Sequence, residues 1–540
     1  MLSSGIHALP VELLSSIFVL GSEAQYATHN KDSPFLLRPD EDFSLRSGCT
    51  ASADFQLLVS HVCRHWRQVA LRMSCLWTRL HFREPTHILR AEEFLQRVSP
   101  NHSLDILVDT VSPEEHIPGI NLCREEMNTI FTLITPHVAR WRSFHLKVRA
   151  NECKLIARKA LSTCGPAPRL ETLQLYHFED YRTAHNLYIA TYRDPVVIFN
   201  NVLPSLKNVS LIGVNLPWAH APYLKQLDAL ELALHPDNIR PPFDAWDAML
   251  RGSGRLRRLL LHYSGPRAAS VPSVSADGGP QKRICVPTLE ELSLTDLDPE
   301  HLTTMLRTLE LPHLATLSMD LPEQDFTAAV RLIASPLSPL PLAALHTLRI
   351  SALECTQADA LAALIRGVVG LRVLELDFSR IGGAKEAICE VFFETVVVRD
   401  DAAEANGSEN EAMAARRIPV LRQLEEARLL GLQGAKLREL IAFRSGFVSA
   451  SASCRYAMET ALATLPRFLV RWNASRPRRG RDAVLDELVA NGKVCVVDVD
   501  GDDEEDEEDI DDESVDDDGD SGSAHAGPDT SDSGSADSDD

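Results

Sequence analysis

Three observations predict an α/β protein built as a stacked array. An apolar-x-x-apolar-x-apolar pattern recurs nine times between Trp141 and Leu376. Stretches with leucines at helical spacing separate the recurrences. The charge is concentrated at one end of the 540-residue chain: from Val494 onward there are 22 Asp and Glu and no Lys or Arg. The expected architecture is a short helical module, then an array with one strand plus one helix per unit, then an acidic tail.

The helical module comes first. In LPVELLSSIF (Leu9 to Phe18), Pro10 sits where a first helical turn tolerates proline, because the missing N–H would be unpaired there anyway. Leu13, Leu14, Ile17 and Phe18 come next at helical spacing. In VSHVCRHWRQVA (Val59 to Ala70), Val59, Val62, Trp66 and Val69 form one stripe of a second helix. Cys75, Leu76 and Trp77 lie just beyond it. Such a module has more apolar surface than it can hide within itself, which marks a candidate docking element. His61, Cys63 and His65 are candidate zinc ligands, since two His at i, i+4 on one helix can chelate. No further ligand pair lies nearby, so exposed histidines beside the stripe are the expectation, with no metal and no other cofactor.

These residues resemble an F-box. The shared pattern stands here as Leu9-Pro10, Glu12-Leu13-Leu14, Val62-Cys63-Arg64, Trp66-Arg67, Val69-Ala70 and Leu76-Trp77. The resemblance covers roughly the first eighty residues. A polar insert between Leu20 and Asp54 departs from it and is expected to be a loop between the first two helices. F-box proteins with such inserts, followed by leucine-rich segments, are familiar from mushroom-type fungi, and this chain is similar to them. The resemblance implies a three-helix F-box that docks a Skp-type adaptor and through it a cullin–RING ubiquitin ligase. It implies Leu9, Pro10, Leu13, Leu14, Ile17, Val62, Cys63 and Trp66 as the adaptor-docking surface and its support. The alternative is that Leu13, Cys63 and Trp66 are the core of an N-terminal helical cap.

After the module, Leu76 to Phe82 reads as a strand, Thr86 to Val98 as a helix, Ser103 to Asp109 as a strand and Asn121 to Val138 as a helix. The repeats then begin at Trp141, Leu170, Leu206, Leu227, Leu256, Leu289, Leu314, Leu345 and Leu371, with weak further units at Leu421 and Leu437. Their spacings of 21 to 36 residues bracket those of leucine-rich repeats but are irregular. The last two apolar residues of each match point to one face of a short strand, and the first closes the stack from the preceding turn. No unit can bury its own leucines; neighbours must cover one another. Asp298-Pro299-Glu300 predicts a helix start, with Leu302, Met305, Leu306 and Leu309 facing inward. Thr356 and Asp359 suggest an approximate capping box ahead of Leu361, Leu364, Ile365 and Val368.

The expected fold class is therefore α/β: a three-helix F-box, an irregular leucine-rich-repeat solenoid and a disordered acidic tail. The boundaries are 1–82 for the module, with its insert at about 21–53, and 83–492 for the array, with loops at about 264–285 and 399–416. The tail takes 493–540, where few apolar residues and self-repulsion oppose folding. Arg467, Arg471, Arg476, Arg478, Arg479 and Arg481 form a basic cluster, read as an import or docking patch or as a solvated face.

The net charge of −23 comes almost wholly from the tail; without it 55 acidic residues meet 54 basic ones. That argues against nucleic acid as main ligand. The 11 Cys show no CxxC pair, as expected for reduced thiols in cytosol or nucleus. No signal peptide and no membrane span is expected. There is no P-loop, GxSxG, HExxH or kinase motif set, so no catalytic residues are expected and the chain is read as a non-enzyme. The expected function is the substrate-recognition subunit of a Skp–cullin–F-box ubiquitin ligase, the repeats holding an unknown protein substrate. The alternative is an adaptor-independent scaffold whose tail binds basic proteins such as histones.

Overall fold

The leucines of each repeat match decide where strands form. In Arg258–His262, Leu259 and Leu261 are each 1% exposed, while Arg258, Leu260 and His262 between them are half-buried. That period of two puts alternate side chains on opposite faces, and the buried face meets helices. Each fully buried leucine contributes roughly 1.5–3 kcal/mol, so the repeated pairs dominate the core.

The structure is a computed structural model. It describes residues 9–29, 33–37, 55–113, 115–177, 195–272, 283–336, 338–383, 385–398, 416–452, 467–472 and 483–498. All belong to one compact unit, Met1–Val499. The strands are β1 Arg79–Phe82, β2 Leu104–Asp109, β3 Trp141–Val148, β4 Thr172–His177, β5 Asn208–Ile212, β6 Ala229–Ala233, β7 Arg258–His262, β8 Ile284–Cys285 and β9 Glu291–Thr295. They continue as β10 Leu309–Glu310, β11 Thr316–Asp325, β12 Thr347–Glu354, β13 Val373–Asp377, β14 Thr395–Val398, β15 Arg416–Pro419, β16 Glu426–Leu430, β17 Arg467–Trp472 and β18 Val494–Asp498. The helices are α1 Val11–His29, α2 Phe55–Val62, α3 Arg64–Arg72, α4 Thr86–Arg97, α5 Arg124–Ile134, α6 Asn151–Thr163 and α7 Phe243–Gly252. They continue as α8 Pro299–Thr308, α9 Thr327–Ala334, α10 Ala358–Gly367, α11 Lys385–Phe392, α12 Gly434–Ala452 and α13 Ala483–Ala490.

Fourteen of these strands form one open, all-parallel sheet, each added beside the last in chain order. The short pair β8 and β10 and the antiparallel hairpin β14–β15 stand apart from it. The protein is thus a mixed α/β fold with a long parallel sheet.

Local rules explain the helix starts. The Asp298 carboxylate accepts the His301 N–H at 2.8 Å, Pro299 is the first helical residue, and Leu302, Met305 and Leu306 are fully buried in α8. The capping box expected at Thr356 is not formed. The Thr356 hydroxyl and N–H instead donate to Asp325 at 2.9 and 3.1 Å, so α10 begins at Ala358 without a side-chain cap.

Other expectations need correction. Leu437 lies inside α12 and starts no strand. The unit placed at Leu421 begins three residues later, with Leu424, Ala427 and Leu429 buried and Leu421 in a turn at φ 59°. The loop expected at 264–285 holds ordered structure at both ends: Ser264 is fully buried, and Ile284–Cys285 is β8. The stretch read as one helix from Asn121 to Val138 is α5 followed by a 3-10 turn at Thr135–Arg140. Arg467 and Arg471 of the basic cluster lie on β17; Arg476 to Arg481 lie outside the described residues. The sheet runs through β18 into the segment assigned to the tail, and the remaining tail lies outside the described residues.

Candidate functional site

α1 carries apolar side chains on two faces. Leu14 and Phe18, one helical turn apart, are 1% and 0% exposed. Leu13, Ile17 and Leu20, also at helical spacing, are 53%, 46% and 64% exposed. The inward pair joins the core; the outward three are left uncovered by the described residues. Pro10 is exposed just ahead of the helix, and its carbonyl accepts the first helical hydrogen bond, from Leu14 N–H at 3.1 Å. Leu9 is half-buried. α1 continues to His29, nine residues into the segment expected to be an insert loop. Gly21 lets α2 pack closely on this helix, because an added Cβ would strike the Phe55 ring.

The second segment is two helices rather than one. Cys63 adopts φ −159°, ψ 169° between them, and its Sγ accepts the Trp66 N–H at 3.4 Å as the N-cap of α3. This break corrects the single stripe expected from Val59 to Val69. Val59 and Val69 are buried, whereas Val62 is 59% exposed at the end of α2. Trp66 is half-buried, with its ring edge-on to Phe18 at 5.1 Å. The same break places His61 and His65 on different helices, so the i, i+4 geometry that zinc would need does not exist.

The eight expected docking residues therefore divide. Pro10, Leu13, Ile17 and Val62 are exposed; Leu14 is buried support; Leu9, Cys63 and Trp66 are intermediate. Sequence reasoning missed Val11, Leu20, Leu58 and Leu71, which are 37% to 64% exposed. A helical wheel drawn from Leu14 and Phe18 would have flagged Leu20 as lying off the buried face. Among the described residues, seven of the fifteen exposed large hydrophobics fall between Val11 and Leu71. Apolar exposure is thus concentrated in the N-terminal helices.

These helices are joined firmly to the sheet. Trp77 is 1% exposed, donates its indole N–H to Ala70 O at 3.0 Å and lies edge-on to Phe94 of α4 at 4.9 Å. The Arg97 guanidinium covers the Trp77 ring at 4.9 Å. Arg79 on β1 donates to Ser22 O at 3.0 Å. One continuous apolar core runs from Leu14 to Val494.

The face of the sheet opposite the helices is divided. Along β2 to β6 nearly every residue is buried, on both faces. Ser33–Leu37, from the expected insert loop, contributes to that cover: Phe35 is 6% exposed and Leu37 1%. Leu37 packs with Leu107, Tyr176, Ile212 and Ala233. Gln174 Oε1 accepts the N–H groups of Leu36 and Leu37 at 3.1 and 3.0 Å, and its Nε2 donates to Leu37 O at 2.9 Å. Tyr176 Oη also donates to Leu37 O at 3.0 Å. His145 Nδ1 lies 2.7 Å from Gln174 Oε1, which fixes the proton on Nδ1. Burial pushes the His145 imidazole down to about 4, so the ring is neutral. Burial, then the neighbouring Arg83 charge, also holds His81 well below the usual histidine range.

Beyond β6 the same face is open and polar. Arg349, Glu375, Arg428 and Glu426 form a ladder across β12, β13 and β16, with separations of 3.7, 3.5 and 2.7 Å, and Arg467 of β17 pairs with Glu426. Among the described residues no group of three or more His, Cys, Asp or Glu could hold a metal ion, and no helix is long and apolar enough to cross a membrane.

No protein-family model matches this chain, and no curated protein matches its sequence.

Proposed function

We propose that this chain is the substrate-recognition subunit of a Skp–cullin–F-box type ubiquitin ligase. In that reading the N-terminal helices are a three-helix F-box and the strand-plus-helix units an irregular leucine-rich-repeat solenoid. The observation that carries it is the second apolar face of α1. Leu13 and Ile17 stay exposed on a helix whose other face is fully buried, at the positions that the F-box resemblance assigns to adaptor docking. A water-facing Leu-Ile pair one turn past Pro10 gains free energy when another protein covers it. The chain would supply no chemistry of its own. It would hold a substrate lysine near the ubiquitin thioester, converting a rare encounter into a local one.

The test is Leu13→Glu with Ile17→Glu in the full chain. Both side chains are exposed, so the unfolding midpoint is expected to stay within a few degrees. Pull-down of a Skp-type adaptor is expected to be lost. Undiminished pull-down by the folded double variant rejects this reading. Salt-sensitive histone binding that vanishes on truncation after Asp498, which keeps β18, and occurs without adaptor binding, would favour the scaffold reading that the acidic tail suggests.

A further inference from the structure

Ser33–Leu37 belongs to the segment that joins α1 to α2, yet it is seated on the sheet face, away from both helices' mutual contact. Leu36 and Leu37 bond to the sheet through their main-chain atoms. Gln174, itself 0% exposed, takes two consecutive N–H groups and returns one to the Leu37 carbonyl. His145 and Tyr176 hold that carboxamide from either side, at 2.7 and 2.8 Å. The sheet thus reads peptide backbone, which any chain presents, and adds an apolar seat of Leu107, Ile212 and Ala233 for one branched side chain. With the segment gone, a buried carboxamide would lose three partners and an apolar patch would meet water, which is costly without a replacement. α1 and α2 still pack on each other through Gly21 and Phe55 when the segment leaves.

We propose that the face of β2 to β6 is a peptide-binding site, that Ser33–Leu37 fills it in cis as a strap, and that a partner's short apolar peptide of the same chemistry displaces it. The occupant is an extended peptide that offers two consecutive main-chain N–H groups and a branched aliphatic side chain on the second residue, as Leu36 and Leu37 do. A tethered strap competes at an effective concentration of about 1 mM, so the free chain holds the site closed against weak ligands. The site is independent of adaptor docking: loss of adaptor pull-down and loss of peptide binding report on different faces.

The probe is a fluorescein-labelled peptide with the sequence of residues 32–38, Asp-Ser-Pro-Phe-Leu-Leu-Arg. Added to the full chain carrying Phe35→Ser and Leu37→Ser, it is expected to bind at least about tenfold more tightly than to the unaltered chain, by anisotropy. Adding Gln174→Leu is expected to remove that gain. Equal affinity in the presence and absence of the strap substitutions overturns the proposal, as does indifference to Gln174→Leu. Should the substituted chain not fold, the unaltered chain decides: at about 1 mM unlabelled probe, the Leu36 and Leu37 amides are expected to lose hydrogen-exchange protection. Unchanged protection there overturns the proposal.

Discussion

One row across the sheet compares its two halves. Tyr176, Ile212, Ala233, His262, Thr295 and Asp320 stand opposite one another in register from β4 to β11. The first three are buried; the last three are only partly so. The backbone geometry is the same throughout, so the change comes from what lies on top. Where the strap covers the sheet, the row is apolar. Where water reaches it, the row turns to His, Thr and Asp. The other side shows no such change: its leucines stay buried throughout, although the expected helix per unit is absent from the described connections between β4 and β6 and between β7 and β9, which hold only 3-10 turns at Phe199–Asn201, Trp218–His220 and Ala268–Ser270. A parallel sheet usually reads as continuous apolar runs when both faces are covered, and as alternation when one is. This chain does both in succession.

The largest expected effect comes from placing a charge in each half of that row. Ile212→Asp buries an unpaired carboxylate and is expected to cost on the order of 3–5 kcal/mol in urea unfolding. Thr295→Asp, at the matching position, is expected to stay within about 0.5 kcal/mol. Equal losses would mean that the two halves are covered alike.

Acid should act next, and on the covered half. The unfolded chain takes up a proton on each histidine near pH 6.5, whereas folded His145 resists until about 4. Stability that is fully present above pH 6.5 is therefore lost as pH falls through that window. His145→Asn keeps a donor for Gln174 without the titration and is expected to flatten the decline between pH 7 and 5. A residual slope is expected from His87 and His301, which burial also lowers to about 4, and from His81 and His137, which burial lowers as well. An unchanged slope in that variant would remove His145 from the account.

The smallest effect belongs to the open half. Arg428→Ala breaks two links of the charged ladder but is expected to cost less than about 1 kcal/mol, and less still in high salt. A loss of several kcal/mol would show the ladder to be shielded from solvent.

The contrast also explains how much of the fold could be read from sequence. Each of the nine leucine patterns from Trp141 to Leu371 falls on a strand of the sheet, because core leucines obey local periodicity. The helix of Thr86 to Arg97 and the start at Pro299 were legible for the same reason. The strap was not. Pro34-Phe35-Leu36-Leu37 is too short to show a period, and its hydrogen-bonding partners lie more than 130 residues away. β17 and β18 were hidden by the charge of their surroundings, which suggested a basic patch and a tail. On the N-terminal helices, the exposed Leu13 and Ile17 could be named but not separated from buried Leu14. Neighbouring positions on one helix differ only in what tertiary packing covers, and Cys63 carried no signal that a helix ends there.

The clamp of Arg97 over Trp77 gains weight from the length of the sheet beyond it. Fourteen strands at about 4.8 Å apart make the sheet some 60 Å long when followed from strand to strand. Over such a span, a tilt of about 10° at the root would displace the last strands by on the order of 10 Å. The Trp77 indole, held between the Arg97 guanidinium and the edge of Phe94, and Arg79 anchored to Ser22 oppose that tilt where the N-terminal helices meet β1.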